Sequence, residues 1–319
     1  MNLPEPLRNL GHFVAVADHS CEAIRALLDY AVEQKKRFRA GQLEPSLQRK
    51  TLAMIFEKPS LRTRLSFETA MVHLGGHAIC LDQHHIGLGK REAVEDVARV
   101  TGRMCDGIMA RTFSHEHVEA LARYAGVPVI NGLTDQLHPC QAMADMMTVL
   151  EHFSDVAGRT LVFVGDGNNV ARSLAWACFK LGANFVNVCP EPYQLEAELV
   201  EQLSREASGL TFERTDDLAG AVVRADVIYT DTWVSMGQED EKQRRQRDFA
   251  DYQVNQQLVD RAPAHAVVMH CLPAYRDVEI TSEVLDSPRC IALDEAENRL
   301  HFQRALLEVL MAHGHTTRG

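Results

Sequence analysis

One short stretch, FEKPSLRTRLSFE at residues 56–68, combines residue types that suit the binding of a phosphate group. Ser60 is well placed as the N-cap of a helix. The first turn of that helix would contain Leu61, Arg62, Thr63 and Arg64. The N–H groups of a helix N-terminus, two hydroxyls and two guanidinium groups can together hold a dianionic phosphate. A capped helix with two solvated arginines remains the alternative on this spacing alone.

Further polar residues stand where predicted strands end, which is where open α/β sheets bind ligands. Arg111 ends one such strand, and Cys271 follows another in HCLP. In HPCQ, His138 and Gln141 are three residues apart and share one face of a helical turn. Both can donate a hydrogen bond to a carbonyl oxygen without adding a charge. For HPCQ an ordinary helix start, and for Cys271 a small buried thiol, remain alternatives.

Two other strand-end segments carry polar side chains. GDGNN at 165–169 begins like a dinucleotide fingerprint, but its third glycine position is Val170, so a tight turn that presents Asn169 is favoured over a nucleotide site. The run DTWVSMGQE at 231–239 is interpreted as a mobile loop with Asp231 and Ser235 as polar contacts. No cofactor and no metal is predicted, because the cysteines and carboxylates near His84 and His85 lack a metal-ligand spacing.

The composition limits the class of protein. The chain has 319 residues, enough for two domains, with 46% hydrophobic residues and a net charge of −11. That charge argues against a general nucleic-acid-binding surface, so any phosphate site must be local. Eight scattered cysteines without a CxxC pair indicate a reducing, cytoplasmic environment. No signal peptide and no membrane-spanning run is expected.

The elements that must position these residues alternate between strands and helices. Strands are predicted at 51–55, 77–81, 106–110, 127–131, 160–164, 185–189, 227–230, 267–270 and 291–294. Helices are predicted at 20–39, 60–74, 92–103, 115–124, 141–153, 170–181, 195–206 and 296–312. In the helix after Ser60 the apolar face is assigned to Leu65, Phe67, Ala70, Met71 and Leu74. The alternation predicts an α/β fold of two doubly wound parallel-sheet domains joined by interdomain helices.

Together the motifs resemble those of the aspartate/ornithine carbamoyltransferase family, and in particular its ornithine-using branch. SLRTR matches the family's S-x-R-T-R motif, HPCQ matches HPxQ, DTWVSMG matches D-x-W-x-S-M-G, and HCLP and NRLH also fit. The similarity runs from about residue 51 to about 310. It departs at Leu61, where ornithine enzymes often have Thr, at Val97, where Thr is common, and at Asp277, where Gly is usual.

The resemblance implies a role for each matching residue. A carbamoyl-phosphate domain at 1–150, with the helix at about 300–319 packed on it, would precede an ornithine domain at 151–299, and the cleft between them would bind the ligands. Carbamoyl phosphate would contact Ser60, Leu61, Arg62, Thr63, Arg111, His138, Gln141, Cys271, Leu272 and Arg299. Ornithine would contact Asn169, Asp231, Ser235 and Met236. Arg111, His138 and Cys271 would be the catalytic residues.

The implied reaction is carbamoyl transfer from carbamoyl phosphate to the side-chain amine of L-ornithine, by a cytoplasmic homotrimer or a multiple of trimers. Three alternatives remain. A sister enzyme would act on putrescine, another would act on an acylated ornithine, and a non-catalytic homologue would bind amino acid without turnover. Acyl-ornithine relatives usually have FFNP before the arginine motif, where this chain has FEKP. The intact phosphate motif and Cys271 argue against a non-catalytic protein.

Overall fold

A computed structural model describes residues 3–234 and 239–312 of the chain. The chain folds as two compact units. Unit 1 runs up to Met147 and resumes at Glu297, and unit 2 comprises Thr148–Ala296. Both boundaries fall inside helices rather than in loops. Within the described ranges no helix combines the length and the apolar content needed to cross a membrane.

Unit 1 is built on a parallel sheet of four strands in the order β2-β1-β3-β4. The strands are β1 Thr51–Phe56, β2 His77–Asp82, β3 Gly107–Arg111 and β4 Val129–Leu133. The helices are α1 Cys21–Arg39, α2 Leu61–His73, α3 Gln83–Ile86, α4 Val94–Met104, α5 His115–Tyr124 and α6 Pro139–Phe153. Because β2 and β3 lie on opposite sides of β1, the order reverses between β1 and β3. Such a switch point opens a crevice at the carboxyl ends of the two strands.

Unit 2 is built on a parallel sheet of five strands in the order β7-β6-β5-β8-β9. The strands are β5 Thr160–Val164, β6 Asn184–Val188, β7 Phe212–Thr215, β8 Val227–Thr230 and β9 Val267–His270. The helices are α7 Asn169–Leu181, α8 Ala197–Glu206, α9 Leu218–Val222, α10 Lys242–Asp248, α11 Gln256–Val259 and α12 Ser282–Leu285. Helix α13 Ala292–Leu307 begins in unit 2, passes into unit 1 at Glu297 and continues as a π-helix at Glu308–Ala312. The switch point lies between β5 and β8. The predicted α/β class with two parallel sheets is confirmed.

Apart from the edge strands β2 and β7, the strands of each sheet are buried on both faces, as in parallel sheets with crossover helices. In unit 1, Ile55, Ile108 and Val129 pack with Val118 and Leu121 of α5. In unit 2 the corresponding cluster joins valines of β5 and β6 to residues of α9, α11 and α12. A fully buried Val, Leu or Ile contributes about 1.5–3 kcal/mol. These clusters therefore fix the strand ends from which the polar side chains project.

Three sequence-based expectations differ from the structure. The predicted strand at 291–294 is wrong: Cys290 makes only an isolated bridge to Val268, and α13 begins at Ala292. Strand β7 is absent from the predicted elements. Leu65, assigned to the apolar face of α2, is 60% exposed. Its position is about 200° around the helix from buried Phe67, so the two cannot share a face.

A departure from the family pattern has a local explanation at Asp277. This residue has φ 64, in the left-handed region that favours glycine. Among residues with a Cβ, Asp and Asn tolerate this region best, because their short side chains bond to nearby backbone. The carboxylate of Asp277 accepts from the Ser282 N–H at 2.8 Å and from the Ser282 hydroxyl at 3.1 Å. The aspartate therefore replaces glycine while it anchors the start of α12.

Candidate active site

The N-terminus of α2 lies directly after the carboxyl end of β1, at the switch point of unit 1. Ser60 caps this helix: its Oγ accepts from the Thr63 N–H at 3.3 Å and donates to Thr63 Oγ1 at 3.0 Å. The first turn contains no acidic side chain that would compete for an anion. The helix dipole and the N–H groups of this turn therefore favour a negatively charged ligand.

Besides Arg62 and Arg64, which belong to this turn, an arginine from a distant part of the chain contacts it. Arg299, on α13, donates from Nη2 to Thr63 Oγ1 at 2.7 Å, and both side chains are buried. Arg111, also buried, ends β3 beside β1. The sheet order and the packing of α13 thus bring Arg111 and Arg299 to the helix that carries Arg62.

The charges of Arg62, Arg111 and Arg299 all act on the imidazole of His138. Burial, followed by the charges of Arg299, Arg111 and Arg62, holds the pKa of His138 well below its ordinary value. The imidazole is therefore neutral near pH 7. A neutral imidazole donates one hydrogen bond to a carbonyl oxygen without adding to a site that already carries three positive charges.

Gln141 is fixed by its own helix. Its Nε2 donates to Asp145 Oδ1, one helical turn further on, at 2.8 Å, and neither side chain is exposed. A buried amide that already uses one of its donors this way has a defined orientation. Gln141 and His138 both stand at the start of α6, as the HPCQ spacing predicted.

In unit 2, polar groups meet at the carboxyl ends of β8 and β9. Asp231 follows β8 and is buried. Its Oδ1 accepts from Cys271 Sγ at 3.1 Å and from the Thr232 N–H at 2.7 Å. Its Oδ2 accepts from Asn168 Nδ2 at 2.9 Å. The thiol of Cys271 is therefore hydrogen-bonded to a carboxylate at a strand end.

Two buried carboxylates, Glu295 and Glu279, form hydrogen bonds with His270 at the start of the HCLP segment. Glu295 Oε2 accepts from the His270 N–H at 3.0 Å. The Leu272 N–H donates to His270 Nδ1 at 2.9 Å, so the ring proton is on Nε2, which lies 3.1 Å from Glu279 Oε1. This network fixes the turn at Leu272, which has φ 54.

Asp231, His270 and Cys271 place one ligand-type atom each within 4.8 Å of one another. A carboxylate, an imidazole and a thiolate can bind zinc. Here, however, both nitrogens of His270 are in hydrogen bonds, one with Leu272 and one with Glu279. Metal binding would have to break one of those bonds. The cluster therefore matches a hydrogen-bonded network rather than an open metal site.

The structure brings the predicted residues together in two sets. The unit 1 set contains Ser60, Arg62, Thr63, Arg111, His138, Gln141 and Arg299. The unit 2 set contains Asp231, Cys271 and Leu272, with Asn169 as the first residue of α7. Leu61 has a 75% exposed side chain, so a contact through its backbone is the role open to it at the first position of α2. Ser235 and Met236 lie outside the described residues.

Asn168 is absent from the residues predicted for the site. Besides its bond to Asp231, its Oδ1 caps α7 by accepting from the N–H groups of Val170 and Ala171 at 2.9 and 3.1 Å. The sequence does contain a signal, because Asn is a preferred N-cap residue and GDGNN places two of them before an apolar helix. Only the structure shows that the first asparagine is the cap and that it also orients a carboxylate.

Two parallel-sheet units, one with a cluster of arginines at its switch point, define an α/β protein of two units with a site suited to an anion. The carbamoyl-P binding domain model of the aspartate/ornithine carbamoyltransferases matches residues 11–151, and the Asp/Orn binding domain model matches residues 157–310. The chain belongs to the aspartate/ornithine carbamoyltransferase family.

Individual relatives agree. The chain is 49% identical over 300 residues to an ornithine carbamoyltransferase of Pyrococcus abyssi, covering 93% of this chain and 95% of that one. A solved ornithine carbamoyltransferase of Pyrococcus furiosus superposes with a TM-score of 0.90 at 48% identity, over 94% of this chain and 96% of the other. The Thermus thermophilus enzyme gives 0.85 at 41% identity, over 94% and 99%.

Proposed function

We propose that this enzyme transfers the carbamoyl group of carbamoyl phosphate to the side-chain amine of L-ornithine and releases L-citrulline and phosphate. The observation that carries the proposal is the cluster of Arg62, Arg111 and Arg299 around a neutral His138. It offers fixed cations for a phosphate and an uncharged donor for a carbonyl. The names of the relatives and the two family models support the same reaction.

In this proposal the unit 1 set binds carbamoyl phosphate. Ser60, the Leu61 backbone, Arg62 and Thr63 hold the phosphate at the start of α2, and Arg299 joins them through Thr63. Arg111 bridges the phosphate and the carbonyl oxygen. His138 and Gln141 contact the carbamoyl group. Cys271 and the carbonyl of Leu272 complete the contacts around the carbamoyl nitrogen and the reacting amine.

The unit 2 set binds ornithine in this proposal. Asp231 offers a buried carboxylate to an ammonium group, and Asn169 offers an amide at the start of α7. We assign Ser235 and Met236 to the same ligand on the family motif alone. Unit 1 thereby serves the donor and unit 2 the acceptor, which is our proposal for the domain division.

The chemistry requires no covalent enzyme intermediate. The neutral side-chain amine attacks the carbonyl carbon, and the resulting oxyanion is stabilised by donors aimed at the oxygen, here Arg111, His138 and Gln141. The bond from carbon to the phosphate oxygen then breaks, while Arg62 neutralises the leaving phosphate. The proton lost by the amine passes to that phosphate.

An end-point citrulline assay tests the proposed reaction. With carbamoyl phosphate and L-ornithine, we expect stoichiometric citrulline and phosphate, because both ligand sets are intact. Putrescine in place of ornithine should give little carbamoylated product, because it lacks the α-carboxylate and α-amine that the acceptor set would contact. Initial rates with each amine give kcat/KM: a higher value for putrescine or an acylated ornithine would identify a sister activity, and no product from any amine would identify a binding protein.

We also propose that copies of this chain assemble as a trimer or a multiple of trimers. Supporting this, apolar side chains on the outer face of α2 and on the edge strand β2 are exposed: Leu61, Leu65, Val72 and Ile79. Such a patch beside an unpaired strand edge favours association. Light scattering checks this, since a chain of 35.7 kDa predicts about three times that mass or a multiple of it.

We place the enzyme in the cytoplasm and in amino-acid biosynthesis. All eight cysteines are free thiols in the structure, as a reducing compartment would keep them. A Pyrococcus furiosus relative, 48% identical over 300 residues, is named an anabolic ornithine carbamoyltransferase. Both assignments are proposals for this chain.

A further inference from the structure

Arg245 is a buried arginine on the short helix α10 that none of the proposed ligand contacts uses. Only 6% of its surface is exposed. Its Nη1 donates to Asp166 Oδ2 at 2.7 Å and to the Trp233 carbonyl at 3.2 Å, and its Nε donates to Glu241 Oε2 at 2.8 Å. Its guanidinium group stacks on the Tyr193 ring, 4.9 Å from the centroid. A buried arginine with this many directed contacts has one defined position.

The first partner of Arg245 belongs to the turn between β5 and α7, residues 165–168, which leads directly into Asn169. This turn is held at three successive residues. Asp166 accepts from Arg245, the Gly167 N–H donates to the Tyr193 carbonyl at 2.7 Å, and Asn168 donates to Asp231. A Cβ on Gly167 would lie 2.4 Å from the Leu195 nitrogen, so the backbone approaches its neighbour as closely as glycine allows.

The second partner of Arg245 belongs to the segment that leaves β8. The Trp233 carbonyl is two residues beyond Asp231, and the Trp233 ring stacks on Phe249 at 5.7 Å. One guanidinium nitrogen therefore joins the segment that carries Asp231 to the turn that immediately precedes Asn169. These are the two described residues to which ornithine binding is assigned above.

We infer that Arg245 is a positioning residue for binding of the amino-acid substrate. By donating hydrogen bonds to both Asp166 and the Trp233 carbonyl, it fixes the position of Asn169 relative to Asp231. The inference rests on the proposed function and adds a residue to it. Arg245 itself contacts no reacting atom. Burial raises the pKa of Asp166 and the Arg245 charge opposes that rise, so the pair is coupled in the folded state. Small errors in ligand placement have large effects on binding and rate.

The test compares Arg245→Gln with a matched control, Arg244→Gln. Arg244 is the preceding residue, 57% of its side chain is exposed, and it pairs with the same Glu241 at 3.0 Å. Both variants lose one positive charge from α10. In Arg245→Gln we expect the KM for ornithine and the Kd for norvaline to rise about tenfold or more. The affinity for carbamoyl phosphate should stay within about twofold. Arg244→Gln should stay near wild type in every measurement.

A second variant separates positioning from stability, because Arg245→Gln leaves the carboxylate of Asp166, whose side chain is only 13% exposed, without its arginine partner. Arg245→Gln/Asp166→Asn removes both charges, so its melting temperature should return toward wild type while the KM for ornithine stays high. A double variant that recovers both properties would overturn the inference, as would a folded Arg245→Gln with normal KM. If Arg245→Gln does not fold, the double variant alone decides by the same criterion. A wild type that forms no citrulline would instead reject the proposed function.

Discussion

Arg62→Ala is expected to abolish carbamoyl-phosphate binding while the fold stays intact. Arg62 stands in the first turn of α2, where it would make charge-assisted hydrogen bonds to a dianionic phosphate. Each such bond is worth about 1.5–3 kcal/mol, so loss of a bidentate pair should weaken binding by about 100-fold or more. Isothermal titration calorimetry with freshly dissolved carbamoyl phosphate, at low temperature to slow its breakdown, measures the effect.

Arg64→Ala is the matched control, since Arg64 lies in the same helical turn. Its side chain is 59% exposed and pairs with Glu68 at 2.9 Å, so the structure directs it away from the Ser60 cap. Its loss should change the affinity by no more than about twofold, because surface ion pairs contribute little. Unchanged affinity in Arg62→Ala, or equal losses in both variants, would mean that the phosphate is held elsewhere.

Asp231→Asn is expected to weaken ornithine binding without a matching loss of carbamoyl-phosphate affinity. The substitution keeps the shape of the side chain but removes the charge that would meet an ammonium group. It also disturbs the acceptor of the Cys271 and Asn168 bonds. We expect the affinity for norvaline, measured by calorimetry at saturating carbamoyl phosphate, to fall about tenfold to 100-fold.

The control for this prediction is Asp251→Asn, because Asp251 is an exposed carboxylate of the same unit. It should bind norvaline as the wild type does, which shows that a change of one net charge is not sufficient. Circular dichroism would confirm that both variants are folded. If Asp231→Asn lost affinity for carbamoyl phosphate and norvaline to the same degree, the division of roles between the two sets would be wrong.

The sequence predicts the local features of the site well, because they depend on neighbours in the chain. Ser60 caps α2 as its residue type and position indicate, and Arg111 stands at a strand end as the apolar run before it indicates. His138 immediately precedes α6 and Gln141 lies in its first turn, because Pro139 suits the first position of a helix. Each of these inferences needs only a few adjacent residues.

What the sequence cannot supply comes from contacts between distant residues. The bond from Arg299 to Thr63 joins positions 236 apart, and the pKa of His138 is lowered first by burial and then by three arginines from separate elements. The failed strand at 291–294 has the same origin. Ile291 and Ala292 are buried and apolar, which suits a strand or a helix equally, and tertiary packing decides for α13. Neither long-range contacts in the site nor short apolar segments can be assigned from the local sequence pattern alone.

The discontinuity of unit 1 has a consequence for protein synthesis. Helix α13 contributes fully buried Phe302, Leu306 and Leu307 to this unit, and Tyr30 of α1 donates to Glu308 at 2.8 Å. Unit 2 is one uninterrupted segment, so all of it is translated before α13 is complete. The ribosome therefore completes unit 2 while unit 1 still lacks its closing helix. Arg299 belongs to that helix, so a nascent chain can complete the proposed phosphate site only after nearly all other residues have been made.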